Sequence, residues 1–282
     1  EVAGLETRFE AQLSQETRVF ATVSPQHIYG LLFRILWPLC AGRAFWRDPV
    51  LHPEEFLPSM ASEAASLLAT TPVLLKSPKL QRGIAPLSGS CRVVFSSGGP
   101  LPSETATQIH TVIGKAPIEV LGSTETGGIA TRQQQPDEQE APALWKPLPG
   151  VEIDIDPTDQ RMIVTSPFVS VGPVHPGSSL QSLLTGDRIQ LKGKHDFQLD
   201  GRADRVVKVG EKRLALPEME EALMAHPWVE DAALIVLEVA ETARVHAAVA
   251  LTDEGARHLG AKGRRDTHRE LSAHLGKQWD GI

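Results

Sequence analysis

The stretch VLGSTETGG at residues 120–128 decides the fold that this sequence predicts. Residues 118–121 predict a buried strand that runs directly into a turn of small residues. Thr124 supplies a hydroxyl donor, and Glu125 supplies the hard carboxylate oxygen that Mg²⁺ takes from proteins. Glycines at three positions of the stretch let the backbone approach a ligand closely. We therefore predict that this strand end holds a phosphate and a metal together; an ordinary strand and turn is the alternative.

A second glycine loop precedes this stretch. Residues 91–96 predict a strand that ends in Gly98, Gly99 and Pro100, and a helix is expected over residues 104–113. Strand, loop, helix and strand in this order are typical of a parallel sheet that binds ligands at the carboxyl ends of its strands. Both glycine loops are therefore expected at the same edge of the sheet.

The residues before these loops predict helices and a further strand. An amphipathic helix is expected within residues 1–18, because apolar residues recur there three and four positions apart. Residues 18–24 predict a short strand, and His27 lies where it gives way to a long apolar helix. Side chains at such a junction commonly face a cleft, although a surface or core histidine is the alternative. An alanine-rich helix is expected over residues 62–69.

Short strands dominate the chain after residue 146. Alternating residues within 151–191 predict a small β subdomain. Asp187 is expected there at a turn, where its carboxylate accepts hydrogen bonds from sugar hydroxyls or simply forms the turn.

The last part of the chain predicts a separate small domain. Two strands joined by a tight turn precede a helix with Pro217 near its first turn. Strands over residues 229–237 and 244–251 and a helix over 265–275 follow. The predicted fold class is α/β, and its parts are a mixed, largely parallel sheet flanked by helices (1–145), a small β subdomain (146–200) and a small α+β C-terminal domain (201–282).

Composition and charge narrow the function classes. The 282 residues are 41% hydrophobic and 22% charged, which suits a globular protein with a buried core. The net charge is -7 without a long run of Lys or Arg, so no nucleic-acid partner is predicted. Two cysteines form neither a disulfide framework nor a metal-ligand pattern, which indicates a reducing compartment. With no signal peptide visible, we expect a cytoplasmic protein.

No membrane span is predicted, and the chain is expected to be a piece of a longer protein. The most apolar window, residues 28–42, is short and holds Arg34 and Pro38. The chain begins with Glu1 rather than methionine and enters a predicted helix at once.

Five motifs occur in an order that resembles one known family over nearly the whole chain. The chain resembles the adenylate-forming superfamily, which comprises acyl-CoA synthetases, peptide-synthetase adenylation domains and luciferases. In detail it looks closest to bacterial acyl- or aryl-acid AMP ligases. The motifs are QHIYG at 26–30, SSGGPL at 96–101, LGSTE at 121–125, TGD at 185–187, and GRAD at 201–204 followed by Lys208, Arg213 and EME at 218–220.

The resemblance implies an acid–thiol ligase that uses ATP and Mg²⁺. Such an enzyme activates a small carboxylic acid as an acyl-adenylate and transfers it to the pantetheine thiol of CoA or an acyl carrier protein. By the motif matches, Thr124 contacts the α-phosphate, Glu125 binds Mg²⁺, and His27 acts where the acyl pocket meets the thiol tunnel. The nucleotide-binding residues implied are Gly98, Gly99, Pro100, Leu121, Gly122, Ser123, Asp187 and Arg202.

The resemblance also assigns roles in the predicted C-terminal domain. Asp204 matches the hinge about which the small domain swings between the adenylation and thioester-forming poses. Lys208 and Arg213 lie on the thiol side in the second pose.

Several positions depart from the family pattern. Leu121 stands where the family usually has an aromatic residue that stacks on adenine, and Glu211 stands where it most often has glycine. The sequence also holds no phosphate loop ending in lysine before its first helix and no late Gly-Lys segment that matches the adenylation lysine. We therefore expect the parent protein to be the ligase and this chain alone to be weak or inactive.

Two other functions stay open at this point. One is a catalytically weak relative that binds AMP or an acyl-adenylate as a sensor or scaffold. The other is an oxidoreductase with a dinucleotide site, which is disfavoured because no Gly-x-Gly-x-x-Gly follows a strand. Binding of ATP with Mg²⁺ but not of NAD separates these alternatives.

Overall fold

The computed structural model describes residues 1–48, 52–134, 143–170, 180–209, 212–239 and 242–279. The chain divides into two units, Glu1–Asp200 and Gly201–Ile282. The first unit has the mixed, largely parallel sheet flanked by helices that the sequence predicts. Its described helices are α1 (Val2–Phe9), α2 (Ile28–Gly30), the π-helix Leu31–Leu36, α3 (Trp37–Cys40), α4 (Pro53–Ala61), α5 (Pro72–Lys76), α6 (Pro78–Gly83), the 3-10 helix Ala85–Ser88 and α7 (Ser103–Ile113).

Six strands form the main sheet and pair in chain order. The first four run parallel, and the last two are antiparallel to their neighbours. The carboxyl ends of the parallel strands therefore meet at one edge of the sheet. The strands are β1 (Arg18–Ala21), β2 (Ser66–Thr70), β3 (Cys91–Ser96), β4 (Ile118–Ser123), β5 (Gly127–Gln133) and β6 (Lys146–Pro147).

Two buried clusters lie against this sheet, and successive strand residues alternate between them. On β3, Phe95 belongs to one cluster and its neighbour Val94 to the other. In the first cluster the rings of Phe9, Phe33 and Trp37 pack around Phe95. The rings of Phe33 and Phe95 meet edge-on at 4.9 Å between centroids, a favoured aromatic geometry. This aromatic core supports the π-helix that carries Phe33.

One helix that the sequence predicts is instead a strand. The alanine-rich residues 62–69 predict a helix, but α4 ends at Ala61 and β2 begins at Ser66. All five residues of β2 are buried, because parallel neighbours flank it on both sides and apolar clusters cover both its faces. Sheet pairing overrides the helix propensity of alanine and leucine at this position.

The first predicted helix is shorter than its apolar pattern. α1 ends at Phe9, and Leu13 lies beyond the helix but is still buried. The apolar helix expected after His27 forms in three segments, of which the middle one is π-helical. Hydrophobic spacing thus located the core face of α1, where Leu5 and Phe9 are buried, but not the end of that helix.

A four-stranded sheet completes the first unit. Its strands pair in the order β10-β9-β8-β7, which agrees with the short strands expected there. They are β7 (Glu152–Ile155), β8 (Arg161–Ser166), β9 (Gln181–Lys192) and β10 (Asp196–Arg202).

Asp187 lies within β9 and not at the expected turn. The pairing of β8 with β9 shifts between Arg161 and Ile163, which places a bulge on β9 around Gly186. A glycine followed by an aspartate is common in turns, but a bulge uses the same backbone freedom without ending the strand. Asp187 therefore lies in a bulge within a strand rather than at a turn between two strands.

The second unit packs helices on antiparallel strand pairs, with a core that includes Met219 and Leu234. α9 is not predicted by the sequence; it begins after Thr252, whose hydroxyl accepts a hydrogen bond from the N–H of Gly255. The described elements are the 3-10 helix Ala203–Arg205, β11 (Val206–Val209), β12 (Lys212–Ala215), α8 (Leu216–Met224), β13 (Val229–Val239), β14 (Thr242–Leu251), α9 (Asp253–Lys262) and α10 (Arg264–Gly276).

Within the described ranges of both units, no helix combines the length and the apolar character that crossing a bilayer requires.

Candidate functional site

Hydroxyl side chains follow the carboxyl ends of the parallel strands. Thr22 lies just after β1 and Thr70 ends β2, and their hydroxyl oxygens are 2.8 Å apart. Ser97 follows β3, and its hydroxyl donates to the carbonyl of Val120 on β4 at 2.8 Å. Because β3 and β4 are parallel neighbours, the loops that follow them share this polar edge of the sheet.

A tight hairpin joins β4 to β5 and carries Thr124 and Glu125. Ser123 lies opposite Gly127 in the antiparallel pairing. The N–H of Ser123 donates to the hydroxyl of Thr126 at 3.1 Å, and the N–H of Thr126 donates to the hydroxyl of Ser123 at 3.2 Å. Thr126 is buried, whereas Thr124 and Glu125 are exposed. The hairpin thus satisfies two of its own backbone N–H groups and leaves the Thr124 and Glu125 side chains at its exposed tip.

The Glu125 carboxylate is ionised at neutral pH. A hydrogen bond from the Ser123 hydroxyl lowers the pKa of the Glu125 carboxyl, and a bond from its own backbone lowers it further. The backbone carbonyl of Glu125 accepts from the N–H of Ser170 at 2.8 Å and from its hydroxyl at 3.2 Å. These bonds present a charged carboxylate on a turn whose backbone is held in place.

The geometry of the hairpin requires two of its glycines. A Cβ atom on Gly122 would lie 2.5 Å from the carbonyl oxygen of Gly127 on the facing strand. Gly127 has a φ of 66°, in the region that residues with side chains rarely adopt. Leu121, directly before them, is half-buried against the aromatic core. These glycines are therefore needed for the turn whether or not a ligand is bound.

The loop between β3 and α7 is exposed in its middle and held at both ends. Gly98, Gly99 and Pro100 are exposed, and Gly98 has a φ of 91°. The serine that follows β3 holds one end, through the bond to β4 described above. At the other end the N–H of Leu101 donates to the carboxylate of Glu119 at 3.1 Å. Both of these hydrogen bonds connect the loop to β4, and the N–H of Ser97 also donates to the carbonyl of Thr70 on β2 at 3.3 Å.

Sequence reasoning missed Glu119, a carboxylate buried within β4 and only 2% exposed. The Arg132 guanidinium donates to both of its oxygens, with Nε–Oε1 at 2.9 Å and Nη2–Oε2 at 2.8 Å. The side-chain amide of Gln134 donates to Oε1 at 2.8 Å and to the carbonyl of Leu101 at 2.9 Å. The guanidinium carbon of Arg132 lies 4.7 Å from the centre of the Trp145 ring. A charged residue inside an apolar strand is the signal in the sequence that points to such a network.

His27 directly precedes α2, where its backbone is extended and its side chain is exposed. The next two residues, Ile28 and Tyr29, line a small cavity of about 40 Å³ that also touches Phe33 and Ser123. Burial raises the pKa of the Tyr29 hydroxyl. An apolar cavity thus adjoins the hairpin, although His27 is not among the residues that line it.

Asp187 and Arg202 lie in different units. The N–H of Asp187 donates to the hydroxyl of Thr185 at 3.2 Å within the bulge of β9. Arg202 ends β10 and is exposed. Contact of either residue with a nucleotide stays a prediction.

Three further predicted residues belong to the second unit with Arg202. Asp204 lies in the 3-10 helix Ala203–Arg205. Lys208 and Arg213 are directly opposite each other in the pairing of β11 with β12. The hinge and thiol-side roles of these residues stay predictions.

The donor set at the hairpin fits a Mg²⁺ ion that arrives with a phosphate ligand. No group of three or more His, Cys, Asp or Glu side chains in the described ranges could hold a metal by itself. Mg²⁺ commonly takes one or two carboxylates from the protein and completes its shell with water and substrate phosphates. An ionised Glu125 at an exposed tip offers such a ligand.

The family model described as AMP-binding enzyme matches residues 2–166. The chain therefore belongs to the AMP-binding enzyme family, as the motifs in the sequence indicate.

Relatives and solved structures agree with this placement. The chain is 29% identical over 220 residues to a 4-coumarate–CoA ligase of Rhodobacter capsulatus, and the aligned region covers 77% of this chain and 49% of the relative. It is 26% identical over 215 residues to an acetyl-coenzyme A synthetase of Caulobacter vibrioides, covering 65% of this chain and 32% of the relative. The fold is similar to that of ATP-bound MatB from Rhodopseudomonas palustris, with a TM-score of 0.68, 21% identity and coverage of 93% and 56% of the two chains. The chain thus spans about half or less of the curated relatives that it matches.

Proposed function

We propose that the protein containing this chain is an ATP-dependent acid–thiol ligase. It activates a small carboxylic acid as an acyl- or aryl-adenylate and transfers the acyl group to the pantetheine thiol of CoA or an acyl carrier protein. The observation that carries the proposal is the hairpin that presents Thr124 and an ionised Glu125 beside the glycine loop, in a chain of the AMP-binding enzyme family. The names of the relatives support it, since they describe CoA ligases and synthetases.

The first half-reaction joins the acid to AMP. An oxygen of the acid forms a bond to the α-phosphorus of ATP, the bond from that phosphorus to the bridging oxygen breaks, and pyrophosphate leaves with the electron pair. Thr124 donates its hydroxyl to an α-phosphate oxygen, and Glu125 holds Mg²⁺. When bound, Mg²⁺ neutralises charge on the phosphates. Fixed donors at the tip suit this role because they need no rearrangement as charge develops.

The other predicted residues hold the adenosine and the acid. Gly98, Gly99 and Pro100 border the adenine and the acyl group, since the exposed middle of their loop shares the polar edge with the hairpin. Leu121 gives the adenine an aliphatic neighbour in place of a ring. Asp187 accepts from the ribose hydroxyls, with Arg202 supporting it.

The second half-reaction forms the thioester. The sulfur of the pantetheine thiol forms a bond to the acyl carbon, and the bond from that carbon to the phosphate oxygen of AMP breaks. AMP leaves with the electron pair, and the thiol proton passes to solvent. His27 stands near the apolar cavity that adjoins the hairpin, where the acyl group and the thiol would meet. Asp204 acts as the hinge, and Lys208 and Arg213 lie on the thiol side.

The test is acid-dependent exchange of pyrophosphate into ATP, measured on the full-length protein with a panel of aryl and fatty acids. We expect exchange with one class of acid, and a loss of at least about 100-fold in Glu125→Ala because the metal ligand is removed. Glu10→Ala is the matched control, since Glu10 is also exposed but follows α1. Its exchange rate should equal that of the wild type.

The absence of exchange with every acid would refute the ligase proposal. If AMP binding were retained in that case, the chain would instead belong to a relative that senses or displays a nucleotide.

A further inference from the structure

The glycine loop and the hairpin tip are both attached to β4. The backbone pairing of β3 with β4 covers two residue pairs, Phe95 with Ile118 and Ser96 with Glu119. Beyond these pairs, side chains of the described residues make the connection from the loop to β4. The N-terminal end of the loop is held by a serine hydroxyl and the C-terminal end by the Glu119 carboxylate.

The bond to Glu119 is part of a closed network. Its carboxylate accepts four hydrogen bonds, two from Arg132, one from Gln134 and one from the N–H of Leu101. Gln134 also donates to the carbonyl of Leu101, so both backbone polar groups of that residue are engaged. A buried carboxylate with all its partners in place is costly to disturb, which makes the network rigid.

We infer that Glu119 is a positioning residue that sets the separation between the glycine loop and the Thr124–Glu125 tip. This rests on the proposed function, in which AMP is the ligand that spans the two. Glu119 is buried beneath the loop, so it acts on the ligand through the loop and not by contact.

AMP and adenosine differ in the contacts that they make with the two elements. AMP reaches from the loop, which borders its base, to the tip, which binds its phosphate. Adenosine engages the loop without the phosphate contact. A change in the separation of the two elements therefore weakens AMP more than adenosine, because only AMP needs both contacts at once.

The test is calorimetric titration of AMP and adenosine into the full-length protein and its Glu119→Gln variant. Whichever oxygen the amide nitrogen replaces, two of the four accepted hydrogen bonds are lost. We expect AMP to bind about tenfold more weakly and adenosine within about twofold of the wild type. Glu6→Gln is the matched control, since Glu6 pairs with Arg43 and Trp37 away from both loops; it should lower the melting temperature and leave both affinities unchanged.

Two results would overturn the inference: unchanged AMP binding by Glu119→Gln, or an equal loss for AMP and adenosine, as general destabilisation would give. If Glu119→Gln does not fold, Gln134→Met removes the two bonds made by the Gln134 amide and should weaken AMP selectively by a smaller factor. Unchanged AMP binding by that variant would equally refute the role. A wild-type chain that binds no AMP would instead refute the proposed nucleotide site itself.

Discussion

Replacement of Gly122 by alanine tests whether the β4–β5 hairpin needs a glycine for close backbone contact. The new Cβ atom would lie 2.5 Å from the carbonyl oxygen of Gly127. Real Cβ atoms essentially never come within 3.0 Å of such an atom, so the strands would have to move apart by at least about 0.5 Å. That movement strains the pairing of Gly122 with Gly128 and of Ser123 with Gly127.

The expected cost follows from these contacts. Overpacking of this kind typically costs about 1–3 kcal/mol. In a unit of this size 1 kcal/mol corresponds to roughly 2–4 °C in melting temperature. We therefore expect Gly122→Ala to lower the melting temperature of the first unit by roughly 2–12 °C.

Gly89 provides the matched control for this measurement. It lies between a 3-10 helix and β3 with φ of −88° and ψ of −28°, and a Cβ atom there would meet nothing within 4 Å. Gly89→Ala should therefore be neutral or stabilise the unit by up to about 1 kcal/mol, because it reduces the entropy of the unfolded chain. Calorimetric melts of both variants check this. Equal melting temperatures for Gly122→Ala and the wild type would refute the reasoning about the hairpin.

Two further predictions concern cysteines and pH. Iodoacetamide at pH 8 should alkylate Cys40, which is exposed, and should spare Cys91 until denaturant is added, because Cys91 is buried and burial raises its pKa to about 12; equal labelling rates in the native protein would contradict this. The second unit should lose stability as the pH falls below about 6.5. Burial lowers the pKa of His226 and the charge of His274 lowers it further, so the unfolded chain binds more protons than the folded one. Melts at pH 7.5 and 5.5 should show a smaller drop for His226→Gln, and an identical drop would argue against this origin.

The strand-and-loop rhythm of the first unit could be predicted because local patterns determine it. β3 and β4 are short apolar runs that end in glycine loops, and both form where the sequence predicts them. The strand at Ser66–Thr70 could not be identified in this way, since alanine and leucine favour a helix when neighbours are unknown. Its conformation is decided by parallel partners that are distant in sequence. Residue patterns therefore predict elements best where flanking glycine and proline mark their ends.

The candidate site could be predicted in part. Thr124 and Glu125 follow a strand and lie at an exposed tip, as expected from their position in the sequence. Glu119 was missed because its partner Arg132 lies on the strand that returns from the hairpin and Gln134 directly follows it, and that strand was not predicted. The role of a buried charge can be inferred only when the residues that neutralise it are known.

The antiparallel return of β5 explains how an exposed tip can also be rigid. A loop at the end of a parallel strand normally leads away from the sheet toward a helix and leaves its backbone groups to water or a ligand. Here β5 pairs back onto β4 at once, and the Ser123 and Thr126 hydroxyls accept hydrogen bonds from the backbone N–H groups of Thr126 and Ser123. In the proposed ligase, a ligand at the tip would meet the Thr124 and Glu125 side chains on a turn that these bonds already hold. Such a turn would be ordered on folding rather than on binding, which favours the stabilisation of developing charge.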